Sequence, residues 1–235
     1  MLALREFLTI RTAHSDSLPY RVAYRNVFYS EFMSLPARDP QLIQIMDIEL
    51  ARAARISGPH LACRPGCTQC CHGAFAINAL DAARLRAGME SLRKTAPALS
   101  ARVEDRAQSW LAEHGPAFPG NPATGALGAS EAEQEAFEDF ASDAPCPALD
   151  PATGLCDLYD SRPMTCRVFG PPVRVEPDDP ASTALACCEL CFVDASEDQI
   201  AACEMRPPHE LESELLAELA SSEETVVAFA LLPTR

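Results

Sequence analysis

The chain has 235 residues, of which 34 are acidic and 19 are basic, so its formal net charge at pH 7 is −15. This length allows one large domain or two small ones, and 48% hydrophobic residues suffice for a core without covalent cross-links. Because strong negative charge repels phosphate groups, we expect binding neither to nucleic acid nor to a membrane. Lys94 is the only lysine, which excludes a Gly-Lys-Ser/Thr phosphate-binding loop.

The eleven cysteines are the unusual feature of the composition. The apolar run at residues 1–4 ends at Arg5, which is too early for the core of a signal peptide. The apolar run at 226–232 is far shorter than the ~20 residues that span a bilayer. We therefore expect a cytoplasmic protein. Thiols stay reduced in that compartment, so clustered cysteines indicate metal binding or catalysis more than disulfides.

The predicted elements begin with residues 1–35, which mix aromatic and polar side chains and are expected to be irregular or partly helical. Asp39-Pro40 is a favourable helix start, since Asp caps the N-terminus and Pro suits the first helical position. Apolar residues at helical spacing predict helices over about 40–56, 79–94, 96–113 and 208–231.

The segments between these helices are predicted to be mostly irregular. Glycine and proline indicate a flexible loop at 115–129, and Ser130 with Glu133 forms a capping-box pattern that opens a short helix. Residues 145–192 are rich in Cys, Pro and Asp, with 167–175 as the best strand candidate. The predicted fold class is mainly α, an irregular, helix-rich domain with a cysteine-rich metal-binding loop layer.

The predicted organisation has three segments. Residues 1–57 form an N-terminal helical segment, and 58–205 form a cysteine-cluster metal-binding domain. Residues 206–235 form an acidic C-terminal helix that packs on the same domain.

The first cysteine cluster reads Cys63-Arg-Pro-Gly-Cys67-Thr-Gln-Cys70-Cys71. Positions 67, 70 and 71 have i, i+3, i+4 spacing, so a helical turn would place three thiols on one side. Pro65-Gly66 makes a continuous helix back to Cys63 unfavourable, and we expect Cys63 to approach from a loop. Several soft sulfur donors directed at one point suit zinc or an iron–sulfur cluster.

Further cysteines follow in two sets, Cys146, Cys156 and Cys166, and then Cys187, Cys188 and Cys191. Adjacent residues of a helix point ~100° apart, so the pairs 70/71 and 187/188 do not readily serve one tetrahedral ion. Either one cysteine of each pair packs in the core, or the protein holds more than one metal. Cys203 has no partner at ligand spacing and is expected not to be a ligand. His72 is a candidate nitrogen ligand, although a surface histidine is the simpler interpretation.

The order of these motifs resembles a known family. The resemblance is carried by Cys63-x3-Cys67-x2-Cys70-Cys71, Cys146-Pro-x-Leu-Asp150 and Cys156-x2-Tyr159-x2-Arg162-Pro163-x2-Cys166-Arg167. Together they look like the CxxCxxCC cysteine-cluster proteins (YkgJ-like), which are described as zinc- or iron-chelating domains. The resemblance covers about 63–170. It implies Zn2+ or Fe as cofactor, with a 4Fe–4S cluster as one form of the iron.

The resemblance also implies which residues bind the metal. The implied ligands are Cys63, Cys67, Cys70, Cys71, Cys146, Cys156 and Cys166. Arg162 and Arg167 match family positions and are candidates to hydrogen-bond thiolate or cluster sulfur, a surface salt bridge being the alternative. Cys187, Cys188 and Cys191 are added as ligand candidates on their spacing alone.

Two hypotheses of function follow. The first is a metalloprotein that holds zinc or an iron centre through clustered thiolates and supports a metal-dependent redox or modification reaction. The second is a non-enzymatic module whose structural zinc cross-links loops and presents a surface to a protein partner. They differ in ligand count, because structural zinc is closed by four protein ligands and catalytic zinc keeps an open position.

Overall fold

A computed structural model of the chain describes residues 34–174 and 185–233. Within these residues the predicted mainly α class is confirmed. The α-helices are α1 (Asp39–Ser57), α2 (Ala79–Thr95), α3 (Pro97–His114), α4 (Glu131–Glu138), α5 (Met164–Val168), α6 (Glu197–Ala202), α7 (His209–Leu219) and α8 (Val227–Leu231). The expectation for residues 1–35 lies almost entirely outside the described residues.

The strands are two residues long and form antiparallel pairs. The pairs are β1 (Ala76–Ile77) with β8 (Thr225–Val226), β2 (Gly120–Asn121) with β3 (Ala126–Leu127), β4 (Leu149–Asp150) with β5 (Leu155–Cys156), and β6 (Val173–Arg174) with β7 (Leu185–Ala186).

The three long helices form where the apolar spacing predicts them, to within two residues at each end. Helix α2 begins where the Asn78 side chain accepts a hydrogen bond from the Asp81 backbone N–H at 3.0 Å. Helices α2, α3 and α8 pack together around a core that includes Leu85, Met89 and Val103. Helix α7 contacts α1 and α2. The domain boundaries at 57 and 205 stay predictions.

The single C-terminal helix predicted over 208–231 is wrong, because the chain forms two helices there. Helix α7 ends at Leu219, and Ala220 follows in the left-handed conformation with φ +51°. The β-branched residues Thr225 and Val226 then pair with β1, since a short strand suits such side chains. Helix α8 is buried along its whole length, whereas α7 exposes its acidic face.

Two other segments also differ from expectation. The strand predicted over 167–175 is reduced to Val173–Arg174, because Arg167 belongs to helix α5. The loop predicted at 115–129 contains a 3-10 turn at Gly115–Ala117 and the β2–β3 hairpin. Its flexibility stays a prediction. The capping box at Ser130 is formed and opens α4.

A buried charge cluster joins α1, α2 and α5. Arg84 contacts Asp39 and Asp81, with N–O distances of 2.6 Å in both ion pairs. The same Asp81 carboxylate accepts a hydrogen bond from the Met164 backbone N–H at 2.8 Å. This contact holds the first turn of α5, the helix that carries Cys166.

Candidate metal centre

Five cysteines from separate parts of the chain form what we call the inner thiol group: Cys70, Cys71, Cys146, Cys156 and Cys166. Backbone hydrogen bonds place them. The Cys146 N–H donates to the Cys71 carbonyl at 2.7 Å, and Cys156 pairs with Leu149 in the β4–β5 hairpin. Cys166 is brought in by helix α5. The group therefore joins a 3-10 turn, a hairpin and a helix.

The thiols of the inner group lie within electrostatic reach of one another. Burial raises the pKa of Cys166 well above its ordinary value, and the charges of Cys146, Cys156 and Cys70 raise it further. Burial likewise raises the pKa of Cys146 to about 12. These thiols therefore resist ionisation unless a cation compensates the charge.

Cys70 is the exception within the inner thiol group. Its sulfur shares a hydrogen bond with the Cys71 thiol, which lowers the pKa of Cys70 to about 6 and raises that of Cys71. The positive charge of Arg162 also lowers the pKa of Cys70. Ionisation is therefore more favourable at Cys70 than at Cys71.

The two arginines of the motif occupy different surroundings. Arg162 lies close enough to Cys70 and Cys156 for its charge to favour both thiolates, although burial outweighs it at Cys156 and raises the pKa of that thiol. The guanidinium carbon of Arg162 stands 3.8 Å from the centre of the Tyr159 ring. Arg167 donates to Asp47 and to the carbonyl of Asp160, each at 2.6 Å, and is 2% exposed. Of these two arginines, Arg162 is the one that acts on the thiols. A direct contact of either arginine with a cofactor stays a prediction.

A second set of cysteines forms what we call the outer thiol group: Cys63, Cys67, Cys188 and Cys191. The Cys63 and Cys188 thiols each share a hydrogen bond with the Cys191 thiol, and the charge of Cys67 raises the pKa of both. Partial loss of solvent around its sulfur, the largest cause, and these neighbours together raise the pKa of Cys63 to about 12, although the residue as a whole is exposed. Cys187 lies beside this group, with Cys191 as its recorded thiol neighbour.

The predicted helical turn through positions 67, 70 and 71 is not formed. The 3-10 turn begins only at Gln69, and Thr68 before it is not helical. As a result Cys67 joins the outer thiol group, whereas Cys70 and Cys71 join the inner one. The spacing alone predicts that the three thiols share one side. Because the 3-10 turn begins only after Cys67, Cys67 is separated from Cys70 and Cys71.

The other candidate ligands have ordinary partners. His72 is exposed, with its Nδ1 3.0 Å from the Thr68 carbonyl oxygen. Cys203 is buried in an apolar cluster with Phe192, Ile200 and Cys191 of the outer thiol group. The expectation that neither is a ligand remains a prediction.

Sequence reasoning missed Gly170, which contacts the outer thiol group. A Cβ atom at this position would lie 2.8 Å from the Cys63 sulfur. The only sequence signal for Gly170 is a glycine soon after the Cys166-Arg167 motif.

The thiols lie near one another but do not form complete coordination spheres. Among the described residues, no three His, Cys, Asp or Glu side chains stand in an arrangement that could hold a metal ion as placed. Binding therefore requires cysteine side chains to rotate toward a common point. The donor chemistry fits, because clustered soft thiolates favour zinc, iron and iron–sulfur clusters.

Fold and site together define a mainly α, thiol-rich protein whose donors suit a soft or borderline metal. Residues 62–191 match the CxxCxxCC family, whose description is "putative zinc- or iron-chelating domain". Because the match spans more than half of the chain, the protein belongs to this family. The matched region includes every cysteine of both thiol groups. Searches of curated proteins and of solved structures gave no match.

A bilayer-spanning helix is absent from residues 34–174 and 185–233, since none there combines the necessary length and apolarity.

Proposed function

We propose that this protein binds zinc or an iron centre through the thiolates of the inner thiol group. The observation that carries the proposal is the convergence of five thiols from distant segments, Cys70 and Cys71 with Cys146, Cys156 and Cys166. A buried cluster of thiols is unfavourable as anions, and a bound cation removes that penalty. Four thiolates complete either a zinc site or a 4Fe–4S cluster.

The residues of this chain have distinct roles in the proposed site. Cys70 supplies the thiolate that forms most readily, because its hydrogen bond with Cys71 and the charge of Arg162 favour the anion. Arg162 partly offsets the negative charge that the thiolates bring. The buried contact between Asp81 and the Met164 N–H fixes the helix that presents Cys166. We place this activity in the cytoplasm, where thiols stay reduced.

The first role we propose for the metal is support of a redox or modification reaction. Five thiols exceed the four that close a tetrahedral site, so one cysteine is left over for chemistry beside the metal. Cys70, whose lowered pKa favours the thiolate, is a ligand in this proposal, so the cysteine left over is one of the other four.

The second role is structural, with a protein as partner. The inner thiol group joins a five-residue helix, a hairpin of two-residue strands and a 3-10 turn, elements too short to be stable alone. A metal that cross-links them contributes its binding free energy to folding. In this role the coordination sphere is closed by four cysteines, with no exchangeable water.

The test of the proposal is metal and acid-labile sulfide analysis of protein prepared without oxygen. Iron with matching sulfide and visible absorption identifies an iron–sulfur centre, and zinc without sulfide identifies a zinc site. Protein that takes up neither metal on reconstitution contradicts the proposal. X-ray absorption at the metal edge then counts ligands, since a light-atom ligand that exchanges with solvent favours the first role and four sulfurs favour the second.

A further inference from the structure

We propose that the outer thiol group is a second metal site, a closed four-thiolate zinc site separate from the inner one. Its ligands are Cys63, Cys67, Cys188 and Cys191. The proposal goes beyond the proposed function, which needs only the inner thiol group, and its test separates the two.

The ligands come in two pairs with the spacing of structural zinc sites. Cys63-x3-Cys67 and Cys188-x2-Cys191 both fall within the two to four intervening residues that such pairs use. Each second cysteine follows a tight turn. The Cys67 N–H donates to the Arg64 carbonyl at 2.9 Å, and the Cys191 N–H donates to the Cys188 carbonyl at 2.8 Å. The turn at 64–67 separates Cys63 from Cys67, and the turn at 188–191 contains both cysteines of its pair.

The two turns face each other although more than 120 residues separate them. The thiols of Cys63 and Cys191 share a hydrogen bond. The Ala62 N–H donates to the Cys191 sulfur, with N and S 3.3 Å apart, as backbone amides do toward metal-bound thiolates. The Phe192 N–H donates to the His60 carbonyl at 2.8 Å, which holds the two segments side by side.

Further contacts stabilise the packing of these two segments. The side-chain amide of Gln69 donates to the Glu189 carboxylate across the two segments. The Cys188 N–H donates to the Gly170 carbonyl at 3.4 Å, and Gly170 also lies against the Cys63 sulfur. With φ +113°, Gly170 adopts a conformation that few other residues accept. The backbone of a third segment thus lies directly against this group.

The outer group is distinct from the inner one. The strongest effects of one thiol on the pKa of another join members of the same group, and Cys187 likewise interacts with Cys191. The geometry explains the separation, because Cys71 is tied by its carbonyl to Cys146 while Cys67 precedes the 3-10 turn. One tetrahedral ion needs only four of these nine thiols.

A structural zinc ion suits the outer thiol group better than a catalytic metal ion does. Four cysteines leave no position for substrate or water, and Cys63 is exposed at the surface. The nearby cation Arg64 donates a hydrogen bond to the Ala62 carbonyl at 3.3 Å. A divalent, thiophilic ion supplies the missing positive charge. Bound there, it fastens the turn at 63–67 to the segment at 188–191.

The first experiment compares metal content per chain in three variants reconstituted with zinc alone after removal of bound metal. Cys67→Ser/Cys188→Ser removes two outer ligands, Cys70→Ser/Cys166→Ser removes two inner ligands, and Cys187→Ser is the matched control. We expect the outer variant to lose one zinc per chain, the inner variant to keep that zinc, and the control to match wild type. Far-UV circular dichroism reports whether each variant folds.

The outcomes distinguish the second site from the proposed function. If the inner double variant folds and loses all metal, one shared site exists and the second site is refuted, while the proposed function stands. If the outer double variant keeps full metal content, the second site is also refuted. If wild type binds only one zinc, the inner double variant keeps it, and reconstitution of wild type with iron and sulfide without oxygen adds no metal, the outer site stands and the proposed function fails.

A second measurement uses the wild-type chain, so it does not depend on the folding of a variant. Cysteines bound to zinc are protected from alkylation, and peptide mass analysis after N-ethylmaleimide treatment reports each thiol. We expect exposed Cys63 to react at least tenfold faster after a chelator removes zinc, with Cys187 reacting at similar rates in both states. Equal rates at Cys63 with and without the chelator would overturn the proposal.

Discussion

Replacement of Arg84 by alanine tests whether a buried charge cluster supports the helix that presents Cys166. The Arg84 side chain is 4% exposed, and its partners Asp39 and Asp81 are 6% and 2% exposed. Its guanidinium donates twice to Asp39, at 2.8 and 2.6 Å, and once to Asp81 at 2.6 Å. Arg84→Ala removes every one of these contacts and leaves two carboxylates buried without a cation.

The magnitude follows from this burial. Removing one partner of a buried ion pair costs about 3–5 kcal/mol, because the remaining charge is uncompensated. We expect the free energy of unfolding of Arg84→Ala at pH 7 to fall by about that amount, a large share of the 5–15 kcal/mol typical of domains. Urea denaturation followed by far-UV circular dichroism measures it.

Lys94 provides the matched control for Arg84. It pairs with Glu90 at 2.7 Å in the same helix, but both side chains are more than 60% exposed. Exposed pairs of this kind contribute little, so Lys94→Ala should change stability far less than Arg84→Ala. A loss for Arg84→Ala below about 1 kcal/mol, comparable with the control, would refute the argument.

Three further predictions concern stability. The hydrogen bond from Arg52 lowers the pKa of Glu49, so this contact stabilises the fold above the unfolded-state pKa of Glu49 and its contribution is lost as the pH falls. Glu49→Gln should therefore lower the free energy of unfolding by ~0.5 kcal/mol at pH 7 and leave it unchanged in acid, as measured by urea denaturation. Gly88→Ala should lower the free energy of unfolding by about 1–3 kcal/mol despite the better helix propensity of alanine, because the added Cβ would lie 2.6 Å from the Ser161 Cβ. An unchanged thermal unfolding temperature would contradict this prediction. Chelation should raise hydrogen exchange in 145–174 and spare α2, and equal protection of the segment with and without metal would contradict that.

Much of the fold follows from local patterns. The helix start at Asp39-Pro40 and the capping box at Ser130 both depend on residues adjacent in sequence. The break after Leu219 does not, because the leucine stripe continues in pattern while the pairing of Val226 with Ala76 depends on a strand 150 residues away. Local periodicity carries no information about that partner.

The sequence likewise predicts only part of the candidate site. The cysteine motifs identify the thiols, and their order gives the family, as the match over 62–191 confirms. Sequence also indicates that adjacent cysteines such as Cys70 and Cys71 do not readily share one ion with all the others. It leaves open which thiols meet, because Cys67 is only three residues from Cys70 yet faces Cys188. That grouping depends on tertiary contacts.

The most direct test of the central claim is the inner-site metal content of three single variants. Cys70→Ser and Cys166→Ser each replace a soft sulfur of the inner thiol group with a poor oxygen donor. Cys203→Ser changes a buried cysteine that is not part of the inner thiol group and packs in the same apolar cluster as Cys191 of the outer one. With the protein prepared without oxygen, we predict that the first two lose the inner-site metal and that Cys203→Ser retains it. Loss of metal in Cys203→Ser together with full metal content in Cys70→Ser and Cys166→Ser would contradict the account.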